Sequence, residues 1–189
     1  MVLPGAQLFP NALLPLYIFE PRYRQMLSWS LEQDRMFCIA PMKPGISEAR
    51  STDDFYHTVG IGLVRACVGR EDGTSQLILQ GLSRMRIVGF VQDAPFRIAE
   101  LRALPSQPVE PEQSAELVAK LLDVSSSLFA SQMQLPVQLE KQLEHIDDPA
   151  VLTDVVAHTC LQDSEQRQEV FEELDVAKRV ALLIRYLQG

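Results

Sequence analysis

The chain has 189 residues, 47% of them hydrophobic and 22% charged, with a formal net charge of −8. This is the balance of a globular protein able to bury one large core or two small ones, and no apolar run approaches the roughly 20 residues of a membrane span. An acidic chain repels a phosphate backbone unless its cations gather on one face; the nearest gathering, Arg65, Arg70, Arg84 and Arg86, has few interleaved aromatics, which disfavours nucleic-acid binding.

Residues 1 to 104 read as β-rich. The opening "MVLPGAQLFP" has no basic region ahead of a long apolar stretch, so no secretory leader is expected. "ALLPLYIF" is a short apolar strand that runs into "EPRYRQML". Pro21 suits the first turn of a helix, where its missing N–H is not needed. Glu20 places negative charge beside that N-terminus, and Tyr23, Met26, Leu27, Ser30 and Leu31 then recur at helical spacing. "RMFCIA" is the next strand, and "MKPGISEARSTDD" is a loop by composition. "HTVGIGLVRACV" and "QLILQG" flank Asp72-Gly73, a hairpin turn signal. "RMRIVGFV" sets Met85, Ile87 and Val91 against Arg84, Arg86 and Val88, and "FRIAELRAL" closes the series. Several strands with tight turns and one helix suggest a barrel-like β domain.

The pattern changes at "LPSQPVEPEQ", where Pro105, Pro108 and Pro111 predict a stiff connector over 105–111. Beyond it, 112–189 is helical. "EQSAELVAKLLDVSSSLFA" places Leu117, Leu121, Val124 and Leu128 on one stripe, and "QLPVQLEKQLEHI" is a shorter helix. Asp148 caps a helix with Pro149 at its first position and Leu152, Val155 and Val156 on its apolar face. "DSEQRQEVFEEL" is short and charged. Asp175 caps a last helix that presents Val176, Val180, Leu183, Ile184 and Leu187.

No arrangement of residues carries recognisable chemistry. His158 and Cys160 are two apart and do not share a helix face, His57 opens a strand, and His145 ends a helix. HExxH, GxSxG, a supported serine–lysine arrangement and GxxxxGK[ST] are all missing. Asp147-Asp148 starts a helix, and Asp53-Asp54 belongs to a polar loop. Cys38, Cys67 and Cys160 lie in apolar runs and behave there as small hydrophobes; with no CxxC spacing, a reduced, cytoplasmic protein is expected. No catalytic residue, metal ligand or cofactor is assigned.

The order of these pieces resembles the N-terminal, substrate-recognition domain of Lon-type ATP-dependent proteases. "LFPNALLPLYIFEPRYRQML" is similar to that family's "FP…LPL…IFEPRY" entry. "VGIGLVRACVGREDGTSQLILQGLSRMRI" resembles its hairpin and "QGL-R-RI" strand, and "IDDPAVLTDVVAHTCL" with "EELDVAKRVALLIRYL" resembles its helical half. The resemblance implies an α+β fold, a PUA-like pseudo-barrel over 1–104 followed by a helical bundle over 112–189. In full-length proteases the last helix continues into ATPase and protease modules; ending at Gly189, this chain is expected to be a stand-alone form without either. A non-catalytic module that binds unfolded or partner polypeptides is implied, with a protease or chaperone as a partner. The alternative is an RNA-binding PUA-like module, against which the acidity argues.

The resemblance implies a use for the proline corner. Glu20, Arg22 and Tyr23 crowd a polar and aromatic group at the end of a strand, where they offer a contact surface for extended chains. The other reading is structural: Tyr23 packs inward and Arg22 is a solvated helix charge.

Overall fold

Two-residue periodicity gives way to helical periodicity once along the chain, and the architecture follows that change. The computed structural model describes residues 1–131 and 143–189. It separates into two compact units, Met1–Leu104 and Pro105–Gly189, with strands in the first and helices filling the second. This is the α+β arrangement.

In the first unit, six strands form one mixed sheet: β1 (Val2–Leu3), β2 (Leu13–Ile18), β3 (Met36–Pro41), β4 (Thr58–Gly69), β5 (Ser75–Gln92) and β6 (Ile98–Ala103). Their order is β1-β3-β4-β5-β2, with β6 also paired to β5. β1 runs parallel to β3, and every other pair is antiparallel. Among the described residues no pairing joins β1 to β2 or β6, so hydrogen bonds do not close the sheet. Helix α1 (Pro21–Glu32) buries Tyr23, Met26, Leu27 and Ser30, and the Ser30 hydroxyl donates to the Met36 carbonyl at 3.1 Å. Tyr23, Met26 and Leu27 join Leu8, Ile18, Phe37, Ile39, Val64, Leu77 and Leu79 in one core.

"QLILQG" and "RMRIVGFV" prove to be a single strand of 18 residues, β5. Its first part pairs β2 and its last part pairs β6. Register shifts lie between Ile87 and Gly89 and between Phe90 and Gln92. An extra residue reverses the in–out alternation, so Phe90 joins Ile87 around Phe55 while Val91, read from spacing as a companion of Ile87, is 64% exposed. The hairpin at Asp72-Gly73 forms as expected: Gly73 has φ +78°, and the Asp72 carboxylate accepts from the Thr74 amide at 2.9 Å and its hydroxyl at 2.7 Å. The buried strap Gln7–Pro10 lies on the sheet. A Cβ on Gly60 would run into the Leu8 carbonyl oxygen and one on Gly81 into that of Phe9.

The second unit holds α2 (Pro111–Ser131), α3 (Pro149–Cys160), α4 (Ser164–Glu172) and α5 (Val176–Gln188). The shorter helix expected over 134–146 lies outside the described residues up to 142. Part of the expected connector is attached to this unit: the Gln107 amide donates to the Leu174 carbonyl at 2.7 Å, Arg179 Nη2 donates to Ser106 Oγ at 2.9 Å, and Pro111 opens α2. Aspartates cap three helices, Asp148 receiving Ala150 N–H, Asp163 receiving Glu165 and Gln166 N–H, and Asp175 receiving Lys178 N–H. Helix α5 packs on α2 and α3, and its Val180 and Leu183 are fully buried. Arg179 on the same helix is also fully buried and stands 3.8 Å from the Asp154 carboxylate of α3.

Candidate functional site

The corner between β2 and α1 brings Glu20, Arg22 and Tyr23 together, with unequal roles. Glu20 is the N-cap of α1 but makes no side-chain cap; its carboxylate instead accepts from Arg22 Nε at 2.9 Å and pairs with Nη2 at 2.8 Å. Tyr23 is 7% exposed. Its hydroxyl donates to the Val2 carbonyl at 2.9 Å and accepts from the Val2 amide at 3.2 Å, which fastens β1 to α1. Burial pushes this phenol above its ordinary pKa, with the Val2 hydrogen bond pulling the other way. The Arg22 guanidinium covers the ring, 4.7 Å from its centre. Only Glu20 and Arg22 of the three therefore keep substantial side-chain surface, and they neutralise each other.

The larger solvent-facing feature starts one residue earlier. Along β2 the side chains alternate, and Leu14, Leu16 and Ile18 turn toward the core side while Leu13, Pro15 and Tyr17 are exposed. Leu13 is 56%, Tyr17 48% and Phe19 57% exposed. The Tyr17 and Phe19 rings stack at 5.7 Å, and the Arg70 guanidinium sits 5.7 Å from the Tyr17 centre. The face continues across the sheet: Ile78 is paired with Pro15, Gln76 with Tyr17, and Ala66 and Val68 of β4 lie beyond them. Pro15, Tyr17, Ala66, Val68, Gln76 and Ile78 line a shallow depression of about 430 Å³. β2 is also an edge, since its only strand partner among the described residues is β5. The spacing of Leu13, Pro15 and Tyr17 was visible in the sequence. The alternation alone does not say which of two apolar sides faces the core.

Several charged and nucleophilic groups elsewhere are engaged in structure. Arg84 is 3% exposed, and Arg86 donates to the Thr58 hydroxyl at 3.0 Å, so the four sequence-grouped arginines do not form one solvent-facing cationic stripe. Burial pushes the Cys38 thiol up to about 11 and Cys160 to about 11, which keeps both protonated near neutral pH. His57 Nε2 bonds the Thr52 carbonyl at 2.9 Å, and His158 contacts Arg167 through Nδ1 at 3.3 Å. Among the described residues, no three His, Cys, Asp or Glu side chains gather as a metal site, and no helix is long and apolar enough to cross a membrane.

The model of the ATP-dependent protease La (LON) substrate-binding domain matches residues 1–189. The chain is 24% identical over 188 residues to a Lon protease of Desulfosudis oleivorans, covering 99% of this chain and 23% of that protein. It is 25% identical to a Lon protease of Xanthomonas oryzae pv. oryzae, covering 96% of this chain and 21% of that one. The chain thus spans less than a quarter of the length of these relatives. Its fold is similar to that of the N-terminal domain of a Mycobacterium avium complex Lon protease, with a TM-score of 0.79, 15% identity and coverage of 100% of this chain and 96% of that one. A Lon N-terminal domain protein from Xanthomonas campestris gives a TM-score of 0.67 at 18% identity, covering 98% and 96%.

Proposed function

The chain belongs to the Lon substrate-binding domain family, and from that premise we propose that it is a non-catalytic recognition module for unfolded or partner polypeptides. The observation that carries this reading is the row Leu13, Tyr17 and Phe19, held in solvent beside Val68 on one sheet face. Large apolar side chains grouped at a surface mark places where another molecule covers them, and aromatic and arginine anchors dominate such contacts. Arg70 over Tyr17 supplies one such anchor pair. Glu20 and Arg22 flank the Phe19 end of the face, while Tyr23 holds the corner beneath them. In this reading the module presents polypeptides to a protease or chaperone, carried on the same chain or another.

The energetics make each contact weak. Burying a whole apolar side chain contributes about 1.5–3 kcal/mol, and these residues are already half covered. Leu13, Tyr17, Phe19 and Val68 together therefore offer on the order of 4 kcal/mol before the cost of association. Tight capture then requires several apolar segments or several copies acting together.

The test is a titration of a labelled, permanently unfolded protein against the wild type and against Tyr17→Ser/Phe19→Ser. Losing about 1 kcal/mol at each position weakens binding roughly tenfold or more, with little change in thermal midpoint because both side chains are exposed. Absence of binding by the wild type at high concentration would reject polypeptide recognition. Unchanged binding by the folded double variant would reject this face as its site.

A further inference from the structure

A cavity on another side of the first unit has a different chemistry. It has a volume of about 370 Å³ and a mainly apolar wall that includes Met26 of α1, Phe37 of β3, Ile61 of β4, Phe90 of β5 and Leu101 of β6, with Ser30, Gln33 and Asp34 at the end of α1 as its polar side. That volume lies within the range of small-molecule sites. At its rim stands Trp29, 46% exposed, with the Phe96 ring 6.0 Å away and tilted by 48°.

A second cavity of about 500 Å³ adjoins the first, sharing Met1, Val2, Met26, Phe96 and Arg97 as common walls. Besides Tyr23 and Pro95, its remaining lining is polar: Arg22, Arg50, Ser51 and Thr52, with Asp93 as the single carboxylate residue in its wall. Arg22 and Arg50 pair with Glu20 and Glu48, which do not line this space. Arg97 is the group at the junction. Its guanidinium lies 5.3 Å over the Phe55 ring, and its side chain is 26% exposed. The nearby Asp93 carboxylate is 3.7 Å away and 79% exposed, a solvent-screened pairing that a better-placed anion can displace. An apolar chamber behind a guanidinium-rich mouth, in a chain of net charge −8, is complementary to one kind of ligand.

We propose that these joined cavities bind a small amphipathic monocarboxylate, an arylalkanoate or medium-chain fatty acid, with its apolar body in the inner chamber and its carboxylate on Arg97. The planar fork of the guanidinium matches a carboxylate in two parallel hydrogen bonds. The site shares no lining residue with the depression on the β2 face, so it stands apart from polypeptide recognition there.

Trp29 is the only tryptophan in the chain, so its emission reports on the rim alone. The experiment titrates the whole chain with 3-phenylpropionate and with octanoate, following Trp29 fluorescence and calorimetric heat, beside the corresponding primary amides. The acids are expected to bind and the amides to bind at least tenfold more weakly. Arg97→Gln should weaken the acids by tenfold or more and leave the amides unchanged. Ala99→Leu, which fills the inner chamber, should weaken both; the Arg97→Gln and amide comparisons decide the matter if that variant does not fold. Equal binding of acid and amide, insensitivity to Arg97→Gln, or no response to either acid up to its solubility limit would overturn the proposal. A short peptide ending in phenylalanine is the remaining arm: if it binds through its free carboxylate and the small acids do not, the occupant is a chain terminus and the small-molecule proposal falls.

Discussion

Asp154→Ala is expected to destabilise the helical unit by about 3–5 kcal/mol. The Asp154 carboxylate and the Arg179 guanidinium are 3.8 Å apart, with side chains 4% and 0% exposed. At the effective dielectric of about 20 that suits protein sites, their attraction is about 4 kcal/mol. Arg179 also donates to Ser106 Oγ at 2.9 Å, a bond that survives the substitution but does not balance the charge. A buried cation that loses this anion retains its desolvation cost with less attraction to offset it. For a domain whose whole stability is about 5–15 kcal/mol, this is a large fraction. Urea unfolding followed by far-ultraviolet circular dichroism, which the helices dominate, measures the loss. The double variant Asp154→Leu/Arg179→Met supplies the control, because replacing both charges with apolar groups removes the desolvation cost together with the attraction. It should be far closer to wild type than Asp154→Ala. A loss below about 1 kcal/mol for Asp154→Ala, or a double variant as unstable as the single one, would refute the claim that this pair is held dry and mutually dependent.

Leu183→Ala should cost about 2–5 kcal/mol because its side chain is fully buried in α5, whereas Arg185→Ala should stay within about 0.5 kcal/mol; equal urea midpoints would show that α5 is not packed by this stripe. Gly81→Ala should cost about 1–3 kcal/mol or more, since its new methyl group meets the Phe9 backbone carbonyl rather than a side chain that can swing away, and an unchanged thermal midpoint would mean that the strap does not rest on the sheet. Stability should also fall in acid. Asp72, held low by its Thr74 hydrogen bonds, and Asp175, held low by the Lys178 amide, have folded-state pKa values below the unfolded one. On acidification the unfolded chain takes up protons first, so their contribution is present above about pH 4 and is lost as pH falls through the lower folded values. Asp72→Asn/Asp175→Asn should therefore flatten the dependence of the urea midpoint on pH below about 5, and an unaltered slope would rule these two groups out as its source.

What could be read from the residues was what neighbours in sequence decide. Asp148 and Asp175 cap helices because the amides they accept from are two or three residues away, and Asp72-Gly73 turns the chain because its conformation is local. The entry into α1 at Pro21 is local in the same way. The pattern was less informative where distant segments choose. Two-residue β1 is defined by its parallel partner β3, not by its own composition. Arg179 looks like a surface residue on a helix, yet Asp154 and Ser106 make its burial possible from elsewhere in the unit. At the candidate face, both sides of β2 are apolar, so only the position of the core shows that Leu14, Leu16 and Ile18 turn inward and that Leu13, Tyr17 and Phe19 are left for solvent. The corner at Glu20 was recognisable as a corner. Its buried tyrosine hydroxyl could not be assigned to Val2 without the fold.

Pro15 sits in the middle of the unpaired β2 edge. A proline within a sheet edge has no amide to offer outward, so an incoming strand meets a break in the row of donors it would need. Growth of the sheet into a neighbouring molecule is thereby interrupted at the place where the apolar face is most open. On the proposed function, a polypeptide ligand would instead approach along the normal to the sheet and be judged by its side chains. If this face recognises polypeptides as proposed, its grammar is compositional: an amphipathic helix and an extended segment are equivalent when each sets apolar groups over Tyr17 and Val68.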